Sequence, residues 1–159
     1  MVGEAEFDDE GKLLEFTPGA YVMGLAEING RPVALGGDDF TISGGSPHNV
    51  HKGPGDFVQP LAMQYGIPYV QLIQGAGHSS KSDEASGHMG LPDGGMWWKN
   101  IEVLRRVPCA AGIMGAVSGL PAAHSFMSIF TGMGKGHSPL FPAGPPIVDR
   151  ATRVGLYKP

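Results

Sequence analysis

The chain has 159 residues, of which 42% are hydrophobic and 16% are charged, and its formal net charge is −4. This balance excludes a disordered chain and a basic nucleic-acid-binding surface, and no run of about 20 apolar residues is present to cross a membrane. The single cysteine, Cys109, excludes an intramolecular disulfide and a multi-cysteine zinc site, and it indicates a reducing, cytosol-like compartment.

Glycine and proline are unusually abundant, with 26 glycines and 14 prolines in the chain. Together they make up about a quarter of the residues, which is roughly twice their usual share. Because the apolar content is high at the same time, we expect a compact domain whose glycine-rich loops approach a ligand closely.

The composition along the chain indicates two regions. Residues 1–18 are acidic and are interrupted by Gly11 and Pro18, so we expect a mobile acidic lead-in there. The same residues contain no apolar segment typical of a secretory signal. Residues 19–159 are expected to form one domain, because this length suits a single hydrophobic core.

The first predicted elements form a hairpin. Asn29-Gly30 joins the apolar runs Tyr21–Ile28 and Pro32–Leu35, and Asn-Gly between two apolar runs is the strongest short hairpin signal. We expect Gly36 and Gly37 to end the second strand. Phe40–Ile42 is expected to form a brief strand of its own.

Apolar spacing predicts alternating helices and strands in the rest of the chain. The predicted helices, with their apolar faces, are Asp56–Tyr65 (Phe57, Leu61 and Tyr65), Met96–Arg106 (Trp97, Ile101 and Leu104, continuing to Val107), Leu120–His124 and Pro145–Arg153. The predicted strands are Tyr69–Ile73, Cys109–Met114 and Ser125–Phe130. This alternation favours right-handed crossovers, so the predicted fold class is an α/β domain of layered sheet and helices.

Two of the predicted strands run directly into glycine-rich loops. The first loop is Gly75-Ala76-Gly77-His78 and the second is Gly115-Ala116-Val117-Ser118-Gly119. Small residues let a ligand contact the backbone, so that backbone N–H groups can point at a developing oxyanion. Tight turns with close helix–strand packing are the alternative explanation. Neither loop has the spacing of a nucleotide-binding fingerprint.

Side chains that could carry chemistry alone are sparse in the sequence. His48 and His51 have a metal-like spacing, but no HExxH motif or carboxylate pattern accompanies them, so we predict no metal site. His78 lies within the first glycine loop and is a candidate ligand contact. No Ser-His-Asp arrangement and no GxSxG motif is present to supply a nucleophile.

At these residues the sequence resembles a known family, the carboxyltransferase (β) component of biotin-dependent acyl-CoA carboxylases, within the crotonase superfamily. The propionyl-, acetyl- and methylcrotonyl-CoA carboxylases are of this type. The resemblance is carried, in order, by Asn29-Gly30-Arg31-Pro32-Val33, Gly37 through Ser46 (similar to the family's DFT…GGS segment), Gly66-Ile67-Pro68-Tyr69-Val70, the first glycine loop, Val107-Pro108, Met114-Gly115 and Leu140 through Pro145.

The resemblance implies a crotonase-like fold of layered β-sheets with crossover helices, of which this chain is a partial copy from the N-terminal half. It implies that this half binds an acyl-CoA thioester and that the backbone N–H groups of Gly75, Ala76 and Gly77 hold the enolate oxygen. It also implies substrate contacts at His78, Gly115, Ala116 and Gly119. No side-chain base is required, because biotin itself takes the α-proton.

The resemblance further implies partners. Biotin is expected on a biotin carboxyl carrier protein or domain, and a second carboxyltransferase half or subunit is expected to complete a homo- or hetero-oligomer. The implied location is the cytoplasm, or the mitochondrial matrix in a eukaryote. No metal, no nucleic acid and no membrane span is expected.

Three other functions stay open at this point. One is a biotin-dependent decarboxylase that acts on a malonyl- or glutaconyl-type thioester. A second is a CoA-ester hydratase or isomerase of the same fold, which needs a carboxylate pair near the first loop, where Asp83 and Glu84 are the candidates. The third is a non-catalytic assembly subunit. The acyl group is open too, because the two glycine loops differ from the family's usual D-S-G-G-A-R and G-P-C-A-G-G-A.

Overall fold

A computed structural model of the protein describes residues 3–46, 55–77 and 95–153, which form a mixed α/β structure. The strands are β1 (Gly3–Phe7), β2 (Leu13–Pro18), β3 (Tyr21–Ile28), β4 (Arg31–Asp38), β5 (Tyr69–Gly75), β6 (Cys109–Ser118), β7 (Phe130–Met133) and β8 (Leu140–Phe141). The helices are α1 (Gly55–Tyr65), α2 (Gly95–Arg106), α3 (Leu120–Ser125) and α4 (Pro145–Thr152), with a 3₁₀ turn at Ser43–Gly45. None of these helices is long and apolar enough to cross a membrane.

The acidic N-terminal region contains a hairpin that the sequence patterns did not predict. Strands β1 and β2 pair antiparallel. In the turn between them, the Asp8 carboxylate accepts the amides of Glu10 at 3.0 Å and Lys12 at 2.8 Å. The acidic run is therefore a turn whose aspartate satisfies the backbone, as aspartates do in Asx turns. The mobility of residues 1–18, and a domain boundary after them, stay predictions.

The main sheet has the strand order β3-β4-β5-β6-β7. Strand β3 is antiparallel to β4, and β4, β5, β6 and β7 run parallel. The predicted Asn29-Gly30 hairpin is confirmed, with both residues in the left-handed region, as a two-residue type I′ turn requires. The predicted end of the second strand at Gly36-Gly37 is wrong. Strand β4 continues to Asp38, since Gly36, Gly37 and Asp38 still pair with β3, and the Tyr21 side chain occupies the space where Gly36 has no side chain.

Helices α1, α2 and α3 cover one face of this sheet. Along β5 and β6 every odd-numbered residue is buried, and the even-numbered residues are partly or fully exposed. The core on the covered face forms two clusters. The first is Ala34, Val58, Ala62, Tyr69, Val103, Val107 and Cys109, and the second is Ile73, Ala111, Ile113, Val117 and Ala122.

The helix faces agree with the predicted ones only in part, since Val107 is buried and Leu104 packs against the core but three predicted residues are exposed. Phe57 and Tyr65 are 60% and 59% exposed, and Ile101 is 41% exposed. The buried positions of α1 and α2 hold the smaller side chains of Val58, Ala62 and Val103, together with Gln59 and Asn100. Small side chains let the helices approach the sheet and each other closely, so the larger apolar groups lie at the rim of the layer.

Four further predictions are corrected by the structure. Phe40–Ile42 forms turns that lead into the 3₁₀ turn, because Asp39 accepts the backbone and hydroxyl hydrogens of Thr41. The strand predicted at Ser125–Phe130 is displaced, since Ser125 ends α3 and β7 begins only at Phe130. Strand β5 extends beyond its predicted end at Ile73, and strand β6 extends beyond its predicted end at Met114. The last helix, by contrast, agrees with its prediction to within one residue at its C-terminal end.

Candidate functional site

The carboxyl ends of β4, β5 and β6 meet at one place, and backbone groups dominate the contacts there. The Ala76 amide donates to the Gly44 carbonyl of the 3₁₀ turn at 2.9 Å. The Gln74 amide donates to the Asp38 carboxylate at 3.0 Å. From the other side, the Ser118 hydroxyl donates to the Ala76 carbonyl at 2.8 Å. The first glycine loop is therefore attached to both neighbouring strand ends.

The two glycine loops singled out in the sequence contact each other. Gly77 has φ +81°, and a Cβ on it would lie 2.8 Å from the Ser118 carbonyl oxygen and 3.7 Å from the Cα of Gly119. Gly119, with φ +73°, begins the turn into α3. A side chain at position 77 would separate the loops. The structure thus brings Gly75, Ala76 and Gly77 together with Gly119.

Gly115 and Ala116 belong to an irregular section of β6. Ile73 of β5 pairs with Ile113, but Gly75 pairs with Val117, so β6 carries two more residues than β5 over this stretch. Gly115 lies under the Gln74 side chain, since a Cβ there would be 2.5 Å from Gln74 Nε2. Ala116 is exposed beside the same loop. This bulge enables β6 to reach the first loop with its Ser118 hydroxyl.

The N–H groups of the first loop differ in their availability. The Ala76 amide is already bonded to Gly44, and the Gly119 amide donates to the Phe141 carbonyl at 3.1 Å. The Gly77 amide makes no hydrogen bond within the described part of the chain. The Gly77 amide is consequently not committed to a bond within the described residues, whereas the Ala76 amide is. The catalytic and substrate-binding roles of these residues stay predictions, and His78 lies outside the described residues.

Asp38 is a titratable group at this site that the sequence patterns did not single out. Burial raises its pKa to about 6, against the lowering effect of the hydrogen bond from the Gln74 amide. A signal was present in the sequence, because Asp38 follows an apolar strand and lies in the segment that resembles the family's DFT…GGS motif. The candidates Asp83 and Glu84 lie outside the described residues.

A buried polar chain leads away from Asp38 beneath the sheet. Tyr21 is opposite Asp38 in the β3–β4 register, and its hydroxyl shares a side-chain hydrogen bond with Tyr69. Tyr69 shares another with Gln59 of α1, whose amide donates to Asn100 of α2. Burial raises the pKa of Tyr21 to about 12 and raises the pKa of Tyr69 further. Both phenols are therefore neutral and serve to satisfy one another.

Burial also disfavours the charged forms of two other ionisable groups near the sheet. Burial lowers the pKa of His124 in α3 below its usual value and raises that of the Cys109 thiol to about 11. Within residues 3–46, 55–77 and 95–153, no three His, Cys, Asp or Glu side chains are grouped so as to hold a metal ion. The chemistry that this arrangement can perform is stabilisation of negative charge by backbone N–H groups.

The sequence matches the model of one protein family, the carboxyl transferase domain, over residues 4–157. The chain therefore belongs to the carboxyl transferase domain family, as its sequence resemblance predicts.

Curated relatives place the chain beside acyl-CoA carboxylase subunits. It is 31% identical over 133 residues to the propionyl-CoA carboxylase beta chain of Roseobacter denitrificans, covering 82% of this chain and 25% of that one. It is 29% identical over 133 residues, with the same coverage, to the methylmalonyl-CoA decarboxylase subunit alpha of Veillonella parvula. The chain thus spans about a quarter of the length of the curated relatives it matches.

Solved structures confirm the predicted crotonase-like fold. The transcarboxylase 12S core, solved with methylmalonyl-coenzyme A and methylmalonic acid bound, has a TM-score of 0.71 at 26% identity, covering 84% of this chain and 25% of that one. The beta subunit of Pseudomonas aeruginosa geranyl-CoA carboxylase has a TM-score of 0.69 at 19% identity, covering 82% and 25%. A chain of the Pseudomonas malonate decarboxylase MdcD-MdcE hetero-dimer has a TM-score of 0.69 at 15% identity, covering 98% and 64%. The last two show the fold alone.

Proposed function

We propose that this chain is the thioester-binding part of a biotin-dependent acyl-CoA carboxyltransferase. The observation that carries the proposal is the meeting of the two glycine loops at Gly77 and Gly119, in a chain of the carboxyl transferase domain family. Relatives at this identity are named as acting on propionyl-CoA and methylmalonyl-CoA, which are both short acyl thioesters. A short acyl-CoA is therefore the proposed substrate.

The chemistry assigned to the loop follows from charge development at the thioester. When the α-carbon of an acyl-CoA gains or loses a carboxyl group, negative charge accumulates on the thioester oxygen as an enolate. The Gly77 amide, supported by the Gly75-Ala76 backbone, is proposed to donate to that oxygen. Each well-aimed donor of this kind typically lowers the barrier by about 3 kcal/mol. His78, Gly115, Ala116 and Gly119 are proposed to contact the substrate around it.

Biotin is proposed to reach this site on another chain or domain. When carboxylated, it supplies the carboxyl group that is transferred to the α-carbon. The described ends of β4, β5 and β6 offer backbone amides and one partly buried carboxylate, and we assign no step through biotin to this chain's residues. A carrier protein or domain and a second carboxyltransferase half are the proposed partners, in the cytoplasm or the mitochondrial matrix.

Calorimetry tests the proposal directly. The chain, reconstituted with its carboxyltransferase partner, is titrated with acetyl-, propionyl- and methylcrotonyl-CoA, and free coenzyme A serves as the reference. We expect heat of binding for at least one acyl-CoA that free coenzyme A does not reproduce. Absence of heat with all three would contradict the thioester site.

Transfer in the reverse direction is the second candidate. It is favoured by the relative from Veillonella parvula, which is a decarboxylase subunit at nearly the same identity as the carboxylase chains. The two directions are distinguished by supplying either methylmalonyl-CoA with free biotin carrier, or propionyl-CoA with carboxylated carrier. The ratio of the two rates at equal, subsaturating concentrations gives the equilibrium constant of the transfer, and the cellular levels of both thioesters and both carrier forms then give the physiological direction.

A further inference from the structure

The Gln74 amide donates its hydrogen bond to a side chain, because the regular pairing of the sheet offers it no backbone acceptor at this point. The β4–β5 pairing ends at Gly37 and Leu72. On the other side of β5, the β5–β6 register is irregular between Ile73 and Gly75. Gln74 therefore lies where neither neighbouring strand continues a regular ladder, and the Asp38 carboxylate accepts its N–H at 3.0 Å.

Because Asp38 lies at the end of β4, this hydrogen bond restrains the direction of the first glycine loop. Asp38 is the last residue of β4, and the backbone then turns away, with the Asp39 amide donating to the Ala20 carbonyl at 2.8 Å. The Asp38 carboxylate lies beside Gly75, 3.8 Å from the position of a Cβ on that residue. Fixing the Ile73–Gln74 peptide restrains the direction in which the backbone continues through Gly75 to Ala76 and Gly77.

A neutral side chain could make the same bond at a lower cost. An asparagine carbonyl also accepts an amide hydrogen, though in a weaker bond, whereas a partly buried carboxylate is penalised by desolvation. The group that faces Asp38 from β3 is the Tyr21 phenol, and β5 contributes the Gln74 amide. Within residues 3–46, 55–77 and 95–153, no cation is among the groups that act on Asp38, and a single backbone hydrogen bond stabilises its charge. Carboxyls placed in this way are concentrated at functional sites.

We propose that Asp38 is a positioning residue of the thioester site, whose carboxylate holds the Gln74 amide and thereby orients the backbone from Gly75 to the Gly77 amide donor. The inference rests on the proposed function for the reaction that the donors serve. Its structural part, the restraint on the loop, is independent of that reaction. Asp38 itself is not placed in contact with the substrate.

Two variants separate the acceptor from the charge. Asp38→Ala removes the acceptor, and Asp38→Asn retains a neutral one. In the assembled enzyme we expect Asp38→Ala to lower kcat by about tenfold or more and to change the KM for acyl-CoA by less than about threefold, because oxyanion donors act mainly in the transition state. Asp38→Asn is expected to recover most of the loss. An unchanged kcat in Asp38→Ala would overturn the proposal, and so would an equal loss in both variants.

The pH profile gives a readout that a merely structural residue would not move. A charged acceptor makes a stronger hydrogen bond than a neutral one. The wild-type rate should therefore decline towards the Asp38→Asn rate as the pH falls through about 6, where Asp38 gains its proton. The Asp38→Asn rate should lack that step. A step that persists unchanged in Asp38→Asn would contradict the assignment.

Hydrogen exchange distinguishes failure of this inference from failure of the proposed function. In the full chain with its partner, we expect peptides covering residues 70–77 to exchange faster in Asp38→Ala than in the wild type, with Asp38→Asn between them. This measurement needs no turnover. Altered exchange in a protein that binds no acyl-CoA would leave the restraint intact and reject the carboxyltransferase function, whereas unchanged exchange in Asp38→Ala would reject the restraint.

Discussion

Gly45 and Gly75 lie backbone against backbone, and this contact joins the 3₁₀ turn to the end of β5. A Cβ on Gly45 would lie 2.5 Å from the Gln74 carbonyl oxygen, and a Cβ on Gly75 would lie 3.2 Å from the Gly45 carbonyl oxygen. Gly45 also has φ +70°, which side-chain-bearing residues rarely adopt. The contact brings Gly44 within hydrogen-bond distance of the Ala76 amide, so the shape of the first loop depends on it.

Gly45→Ala is expected to destabilise the fold strongly. The new methyl group meets a backbone carbonyl that cannot move without disturbing β5, so we expect a loss of about 2–4 kcal/mol in the free energy of unfolding. Gly30→Ala is the matched control, since Gly30 has φ +76° and open space around its Cβ position. Its cost should be limited to about 1 kcal/mol of backbone strain. Urea unfolding of both variants makes the comparison, and equal losses would contradict the steric explanation.

Gly77→Ala is expected to weaken the use of acyl-CoA. Its Cβ would press against the Ser118 carbonyl and displace the amide that we assign to the enolate oxygen. We expect carboxyl transfer to fall by about 100-fold, which is typical for loss of one oxyanion donor. Gly136→Ala is the control, because Gly136 has φ +86° in open space and lies in a different loop. If Gly77→Ala is as fast as Gly136→Ala, a group other than the Gly77 amide donates to the enolate oxygen.

Asp38→Asn is expected to raise stability in a pH-dependent way. Because burial raises the pKa of Asp38 from 3.8 to about 6, its contribution to stability is greatest at low pH and is lost as the pH rises through about 6. The gain from asparagine should be small near pH 4 and reach about 1–2 kcal/mol at pH 8, after allowance for partial solvent exposure. Urea unfolding of both proteins between pH 4 and pH 8 measures it. A gain that does not grow with pH would contradict the raised pKa.

Cys109 is expected to resist thiol reagents in the folded protein. It is buried in the core beneath the sheet, its thiol donates to the Val107 carbonyl at 3.4 Å, and burial raises its pKa to about 11. At pH 8 only about one thiol in a thousand is then ionised, and the thiolate is the reactive form. Labelling with a chromogenic disulfide reagent should be slow in buffer and fast in denaturant. Fast labelling of the folded chain would contradict this burial.

The isolated chain is expected to self-associate and to lack carboxyl transfer. The sheet face opposite the helices presents apolar side chains to solvent, including Phe130 at 70% exposure together with Val22 and Met114. Such patches typically mark protein interfaces. Phe130→Ser should reduce association in light scattering without loss of folded structure. A stable monomer that carboxylates free biotin from malonyl-CoA would contradict both expectations.

Local sequence signals were sufficient where the chain determines its own backbone. Asn29-Gly30 predicts its hairpin because a type I′ turn needs two adjacent residues that tolerate positive φ. The apolar run at Tyr69–Ile73 predicts β5, and the spacing at Met96–Arg106 predicts α2, because their periodicities match a strand and a helix. The family, too, could be identified from short motifs kept in order along the chain.

The tertiary structure alone decided which groups meet. Gly45 and Gly75, or Gly77 and Gly119, are ordinary glycines in the sequence, and their close contacts depend on three parallel strands ending at the same edge. Asp38 and Gln74 are 36 residues apart, and their bond arises only because the pairing of β4 with β5 stops at Gly37, one residue before Asp38. Helix faces were misassigned for a related reason. Side-chain spacing gives the period of a helix, but the depth at which the helix packs decides whether Val58 or Phe57 is buried.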